Sequence, residues 1–254
     1  MKAKTVPEGF RSAAAREEAP SARGDGPDGR GPRELFRLNK FLASRIGVSR
    51  READDLIAAG KILVNGKPAI LGARIDKNDE VCYNKKIIPF ETDYLYIALN
   101  KPVGYVCSRR AQGDAPTLYK LLPEKYQKLK TVGRLDKDSS GLILLTNDGD
   151  FAFQMTHPKF HKEKIYEVEL DRSLEPLHQQ MISDYGIMLD DGVSKFTVIH
   201  DDNKYIVKIS EGRNRQIRRT FAALGYKVKT LHRTNFGKYE LNGLEPGKYV
   251  IMKP

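Results

Sequence analysis

Val132-Gly133-Arg134-Leu135-Asp136-Lys137-Asp138-Ser139-Ser140-Gly141-Leu142-Ile143-Leu144-Leu145-Thr146-Asn147-Asp148-Gly149-Asp150 reads as a loop, a strand and a turn. Asp136 and Asp138 lie in a polar segment between Gly133 and Gly141. Leu142-Ile143-Leu144-Leu145 is a continuous apolar run, short enough for a buried strand. Asn147-Asp148-Gly149-Asp150 is a turn signal leading into a helix over 151–155. A carboxylate on a loop braced by a buried strand is held rigidly, as a nucleophile or general base must be. An arbitrary acidic loop is more often simply solvated, so the rest of the chain has to supply the argument.

The chain has 254 residues, 40% of them hydrophobic, enough for one medium domain and a small one. Its net charge is +11, and the excess is spread out: residues 1–34 hold 7 basic and 6 acidic groups, 35–90 hold 11 and 6, and the remainder 26 and 21. Two separate basic regions point to a polyanion as partner. The two cysteines, Cys82 and Cys107, have no metal-ligand or disulfide spacing, which fits a reducing, cytoplasmic setting. No apolar run approaches the roughly 18 residues of a membrane span, and no apolar core follows Lys2 and Lys4 as a secretory signal would need.

Residues 1–34 are rich in Ala, Gly, Pro, Arg and acids and read as a disordered tail. From Leu35 the pattern changes. Leu38, Phe41, Leu42 and Ile46 recur at helical spacing up to Gly47, with Arg37, Lys40 and Arg45 among them. Ser49-Arg50-Arg51-Glu52 is a capping box that opens a second helix, striped by Ala53, Leu56 and Ile57 and stopped by Gly60. A strand at Lys61-Ile62-Leu63-Val64, a tight turn at Asn65-Gly66 and a strand near 80–83 complete a helix-helix-hairpin unit over 35–90. Its basic groups, Arg37, Lys40, Arg45, Arg50, Arg51, Lys61 and Lys67, are candidate phosphate contacts. Residues 85–93, with Pro89, read as a linker.

The segment 91–254 reads as one larger domain. A strand over 94–99 runs into the fixed turn Asn100-Lys101-Pro102-Val103-Gly104, where Lys101 is a further phosphate candidate. A helix is expected near 117–122. His157 and His161 are four apart, but Pro158 intervenes, so no metal site is expected. Lys164-Ile165-Tyr166-Glu167-Val168-Glu169-Leu170 alternates as a strand, which turns Tyr166, Val168 and Leu170 inward. A helix near 174–184 and strands near 195–200, 205–210 and 226–231 follow. Arg213, Arg215, Arg218 and Arg219 crowd a loop and the first turn of a helix whose inner face is Ile217, Phe221 and Leu224. Such density repels itself, so an anion or internal carboxylates should neutralise it. The fold class expected is α+β: the small unit plus a domain around a mixed, mainly antiparallel sheet.

Two resemblances follow from these residues. Arg37-Leu38-Asn39-Lys40-Phe41-Leu42, Ser49-Arg50-Arg51-Glu52-Ala53 and Ile62-Leu63-Val64-Asn65-Gly66 resemble the S4 RNA-binding domain. Gly133-Arg134-Leu135-Asp136 with Ser140-Gly141-Leu142 to Gly149 looks like the catalytic motif of pseudouridine synthases. Asn100 to Gly104 and Asn214-Arg215-Gln216-Ile217-Arg218-Arg219 narrow it to the ribosomal small subunit pseudouridine synthase A group. Asp138-Ser139-Ser140 departs from the threonine many members carry before the glycine, but serine keeps a hydroxyl.

The resemblance implies that Asp136 is the nucleophile, that Tyr166 stacks on the target base, and that Arg218 pairs with the catalytic carboxylate. It implies uridine-to-pseudouridine isomerisation in structured RNA, most readily ribosomal RNA, by a monomer. No metal or other cofactor is implied, because the reaction involves no redox step and no high-energy donor. Arg134, Lys137, Arg213, Arg215 and Arg219 are expected to contact phosphates beside the flipped nucleotide. The alternative is a non-catalytic S4-type RNA-binding or ribosome-assembly protein. Asp-Lys-Asp also matches a phosphate-transfer motif superficially, but there the apolar strand precedes the first Asp, whereas here it follows.

Overall fold

The computed structural model describes residues 34–253 except 92 and 111. The tail expected over 1–34 lies, but for Glu34, outside the described residues.

The first unit is β1 (Phe36–Arg37), α1 (Leu38–Arg45), α2 (Arg50–Ala58), β2 (Ile62–Val64), β3 (Lys67–Pro68), β4 (Arg74–Ile75), β5 (Val81–Tyr83) and β6 (Lys86–Ile87). The capping box forms as read: Glu52 N donates to Ser49 Oγ at 3.1 Å, and Ser49 N to the Glu52 carboxylate at 2.6 Å. Leu38, Phe41 and Leu42 of α1 close with Ala53 and Ile57 of α2 over Ile62, Ile75 and Val81. Asn65 and Gly66 both take positive φ, 51° and 75°, as a two-residue hairpin turn requires.

The linker expected over 85–93 is in part this unit's own structure. β6 pairs with β5, Ile88 is buried in the same core, and the Phe90 ring lies 4.5 Å from that of Phe41. The turn that permits this is made by Asn84 and Lys85, both at positive φ, a conformation that a lysine does not advertise.

The second unit contains β7 (Tyr96–Lys101), β8 (Lys130–Val132), β9 (Ser140–Thr146), α3 (Gly149–Thr156), β10 (Lys164–Leu170), α4 (Pro176–Gln180), β11 (Ile187–Leu189), β12 (Gly192–Ser194), β13 (Thr197–Asp201), β14 (Lys204–Ile209), α5 (Gln216–Ala223), β15 (Val228–Phe236), β16 (Tyr239–Glu240) and β17 (Tyr249–Met252). Its sheet runs β13-β14-β10-β15-β9-β7-β17, with β16 on β15 and β8 on β9. Only the β9–β15 pair of this sheet is parallel. The architecture is therefore α+β with a mixed, mainly antiparallel sheet.

β9 is buried on both faces, which explains its unbroken apolar run. Ile143 and Leu145 join the core that holds Ile97, Val168, Ile217 and Phe221. Leu142 and Leu144 join Val132, Met155 and Phe236 on the other side. β15 reaches Phe236, well past the strand expected over 226–231. The helix expected near 117–122 is a single 3-10 turn at Leu118–Leu121. No strands were expected over 187–194, where the β11–β12 hairpin turns at Asp190-Asp191-Gly192, a polar turn signal between short apolar flanks.

Candidate active site

The loop between β8 and β9 carries Asp136 and Asp138, and its backbone is pinned from several directions. Lys101, at the end of β7, is fully buried, and its ammonium donates to the carbonyls of Pro102 at 3.1 Å, Asp136 at 3.0 Å and Ser139 at 2.6 Å. Gly104 N donates to Lys137 O at 2.7 Å, Ser139 N to Asp136 O at 3.1 Å, and Leu135 N to Cys107 Sγ at 3.3 Å. Lys101 is therefore an internal clasp for the loop and not the phosphate contact expected of it. Burial pulls its ammonium below the usual lysine value, while Cys107, Asp136 and Asp138 pull it back up.

Gly141 closes the loop. An added Cβ there would stand 2.2 Å from Arg233 O on the parallel neighbour β15, and its φ is +106°. Only glycine lets β9 approach β15 this closely.

The two carboxylates differ in what they hold. Asp138 accepts from Arg215 at both oxygens, at 3.0 and 2.9 Å, and lies 3.3 Å from Arg218 Nε. The Arg215 hydrogen bonds, with the charges of both arginines, hold its carboxyl below the usual aspartate range against the opposing effect of burial. Asp136 has 35% of its side chain exposed, and its carboxylate takes no hydrogen bond from the described residues. Its only ion pair among them is with Arg215 Nη1 at 3.7 Å. A rigid backbone thus presents one open carboxylate beside a guanidinium, next to a second carboxylate whose oxygens are committed.

Arg218 was expected to pair with Asp136. The structure gives it to Asp138 instead. Its side chain, 11% exposed, also donates to Asp138 O at 2.8 Å and Val228 O at 3.0 Å. The reason is local: Arg215 takes a left-handed conformation at the start of α5, φ 46°. Arg218 follows one turn inside the helix and ties β15 to the loop from its buried side, while Arg215 reaches Asp136 from the exposed side.

Tyr166 is buried on β10, on the apolar face it shares with Val168 and Leu170, in the core that also holds Leu135 of the loop. Arg233, 2% exposed, escaped the sequence reading. It donates from Nε to Leu142 O at 2.8 Å, and its guanidinium lies 4.9 Å from the Phe236 ring centre. Its charge and, more strongly, burial lower the neighbouring Lys164 ammonium to about 8. Lys164 in turn donates to Ser210 O and Glu211 O at the start of the arginine-rich loop.

The basic residues expected to touch RNA divide into two sets. Arg37, Arg50, Arg51, Lys61, Lys67, Arg134 and Lys137 are exposed and make no side-chain bond or ion pair among the described residues. The others are engaged internally. Lys40 grips both Asp150 oxygens at 2.6 and 2.8 Å. Arg45 donates to Pro89 O at 3.2 Å and to Phe90 O. Arg213 binds Asp191 Oδ1 at 2.9 Å and the carbonyls of Asp191, Gly192 and Val193. Arg219 binds Asp190 at 2.5 Å and Asp191 at 2.7 Å. The acidic turn of the β11–β12 hairpin supplies the internal carboxylates that the self-repelling cluster required.

No group of three or more metal-ligating side chains gathers among the described residues, and no helix among them is long and apolar enough to cross a membrane. Residues 95–223 match the RNA pseudouridylate synthase family model, and residues 36–81 match the S4 domain. This chain belongs to the RNA pseudouridylate synthase family and is an RNA pseudouridine synthase, which sets aside the non-catalytic alternative.

Within the family it is similar to the ribosomal small subunit pseudouridine synthase A of Pasteurella multocida, 39% identical over 84% of this chain and 94% of the relative. The same-named protein of Haemophilus influenzae is 37% identical, again over 84% and 94%. The ribosomal large subunit pseudouridine synthase B of Bacillus subtilis is 34% identical over 87% and 93%. A crystal structure of a pseudouridylate synthase matches with TM-score 0.62 and 34% identity, covering 86% of this chain and 96% of that one.

Proposed function

We propose that this chain converts one uridine of small-subunit ribosomal RNA to pseudouridine, with Asp136 as the nucleophile acting on a nucleotide drawn out of its stack. The observation that carries this reading is the contrast within the loop. Asp136 offers an open carboxylate on a clamped backbone, while Asp138 is bound to two arginines. The substrate class follows the names of the relatives.

The reaction breaks the C1′–N1 and C5–H bonds and forms the C1′–C5 and N1–H bonds. The proton lost from C5 is matched by the one gained at N1, so the product is an isomer of the uridine and no redox partner is needed. Asp136 either attacks C1′ directly or assists departure of the base by taking the 2′ proton. Arg215 supplies the counter-charge beside it. Arg218 acts as a positioning residue that fixes the loop through Asp138 and its carbonyl. Tyr166 offers an aromatic face to the extruded base, and stacking of this kind is worth roughly 1–3 kcal/mol per base. Residues 35–90 bind the RNA by shape and backbone, residues 91–254 carry the chemistry, and the protein works as a monomer in the cytoplasm, where ribosomal RNA is assembled.

The test is to incubate the purified chain with unmodified transcripts of small- and large-subunit ribosomal RNA and map pseudouridine. One modified uridine in the small-subunit transcript is expected. A site only in the large-subunit transcript would overturn the substrate, and no site in either would overturn the reading.

A further inference from the structure

The two units meet at a joint where lysines serve as fasteners. Lys130 of β8 donates to the carbonyls of Ala43 at 3.3 Å and Val48 at 2.9 Å, at the end of α1 and in the connection to α2. Lys40 of α1 holds Asp150 in the first turn of α3. The stem of Lys128 lies alongside Gly47. Arg109 donates to the carbonyls of Lys128 at 2.5 Å and Leu129 at 3.2 Å, which anchors the loop after β7 to the same place.

Cations from both units gather around this joint. Glu52 of α2 is pulled down by its Ser49 hydrogen bonds and also feels the charges of Arg109 and Arg110. Lys130 is lowered by burial and then by Arg109 and Arg50. Arg50, Arg51, Arg109, Arg110 and Lys128 are exposed. The one carboxylate among them, Glu52, already caps α2. Arg50, Arg109 and Arg110 thus act on the same two groups, Lys130 and Glu52, from both units, and none of the five cations forms an ion pair among the described residues. From Lys130, β8 leads directly into the catalytic loop; Asp136 is six residues on. It therefore lies at most roughly 20 Å away, the reach of that much extended chain.

We propose that Arg50, Arg51, Arg109, Arg110 and Lys128 form a single phosphate-binding surface shared by the S4 and synthase units, which holds the backbone of the substrate RNA on the approach to Asp136. This rests on the proposed function for the identity of the polyanion. The Lys130 and Lys40 fasteners set the spacing between the two halves of the surface, so the S4 unit acts as a fixed part of the RNA seat and not as a freely tethered arm.

The test uses the full chain and an unmodified small-subunit ribosomal RNA transcript, with affinity measured across a salt series. Arg51→Glu on the S4 side, and Arg110→Glu and Lys128→Glu on the synthase side, should each weaken binding. Each should also flatten the slope of log K against log salt by about 0.9 for every phosphate that is no longer neutralised. Arg110→Lys should restore the slope, since it keeps the charge. If Arg110→Glu and Lys128→Glu bind with wild-type affinity and slope while Arg51→Glu does not, the RNA is held by the S4 unit alone and the shared surface is wrong. Failure of the wild-type chain to form pseudouridine would overturn the proposed function but leave these binding measurements intact.

Discussion

Two basic regions that look alike in sequence do different work in the fold. Around α2, Arg50 and Arg51 stand in the open with no partner among the described residues. In the stretch from Arg213 to Arg219, every arginine is bound: Arg213 and Arg219 to the hairpin turn at Asp190 and Asp191, Arg215 and Arg218 to Asp138. The denser cluster is the one whose charges are paired within the fold. Charge density along a chain therefore does not mark a nucleic-acid contact; what matters is whether carboxylates from elsewhere in the fold arrive to absorb it. The lysines repeat the contrast, with Lys101 buried as a clasp and Lys137 of the loop it clasps exposed.

The largest effect expected is for Lys101→Met, which leaves the Pro102 and Ser139 carbonyls without this donor and the Asp136 carbonyl with Ser139 N alone. An unmet buried polar group costs roughly 1–3 kcal/mol, so stability measured by urea unfolding should drop by about 3 kcal/mol or more. Lys137→Met should stay within about 0.5 kcal/mol of wild type, as surface changes do. Arg218→Met comes next, at about 2–4 kcal/mol, because it leaves Asp138 O and Val228 O without a donor. Arg213→Ala should cost about 1–3 kcal/mol and leave the salt dependence of RNA binding unchanged. Arg51→Ala should do the reverse, with stability steady and the salt slope flatter by about 0.9. If Arg213→Ala flattened the slope as much as Arg51→Ala, the division between paired and open clusters would fail.

A smaller effect is in pH. The carboxyl of Asp138 is depressed from its ordinary 3.8 by Arg215 and Arg218. A group with a depressed folded-state pKa stabilises the fold above its unfolded value and loses that contribution as pH falls through the folded one. Urea midpoints should therefore fall below pH 3.8, and Asp138→Asn should lose part of that acid dependence. A variant with wild-type acid sensitivity would show that the Arg215 and Arg218 contacts to Asp138 are weak in solution.

The fold was legible where local chemistry determines it: the Ser49 capping box, the Asn65-Gly66 turn, the apolar run of β9 and the alternation of β10. It was illegible where partners are distant. Asp190 and Asp191 read as an ordinary polar turn, and nothing near them in sequence announces Arg213 and Arg219. Lys101 looks like a phosphate ligand until three carbonyls converge on it. Arg233 lies past the strand expected over 226–231, and its burial follows from the extension of β15 and its parallel pairing with Gly141. The resemblance marked Arg218 as the partner of the catalytic carboxylate, whereas the fold pairs it with Asp138, because Arg215 begins α5 in a left-handed turn and Arg218 follows inside the helix.

The central claim is that of the two loop carboxylates, the open one at position 136 does the chemistry. It is tested most directly by Asp136→Asn, assayed for pseudouridine on the small-subunit transcript alongside unfolding and RNA affinity. The account predicts a protein that unfolds and binds RNA like wild type and forms no pseudouridine. Pseudouridine formed by that variant at the wild-type rate would contradict it.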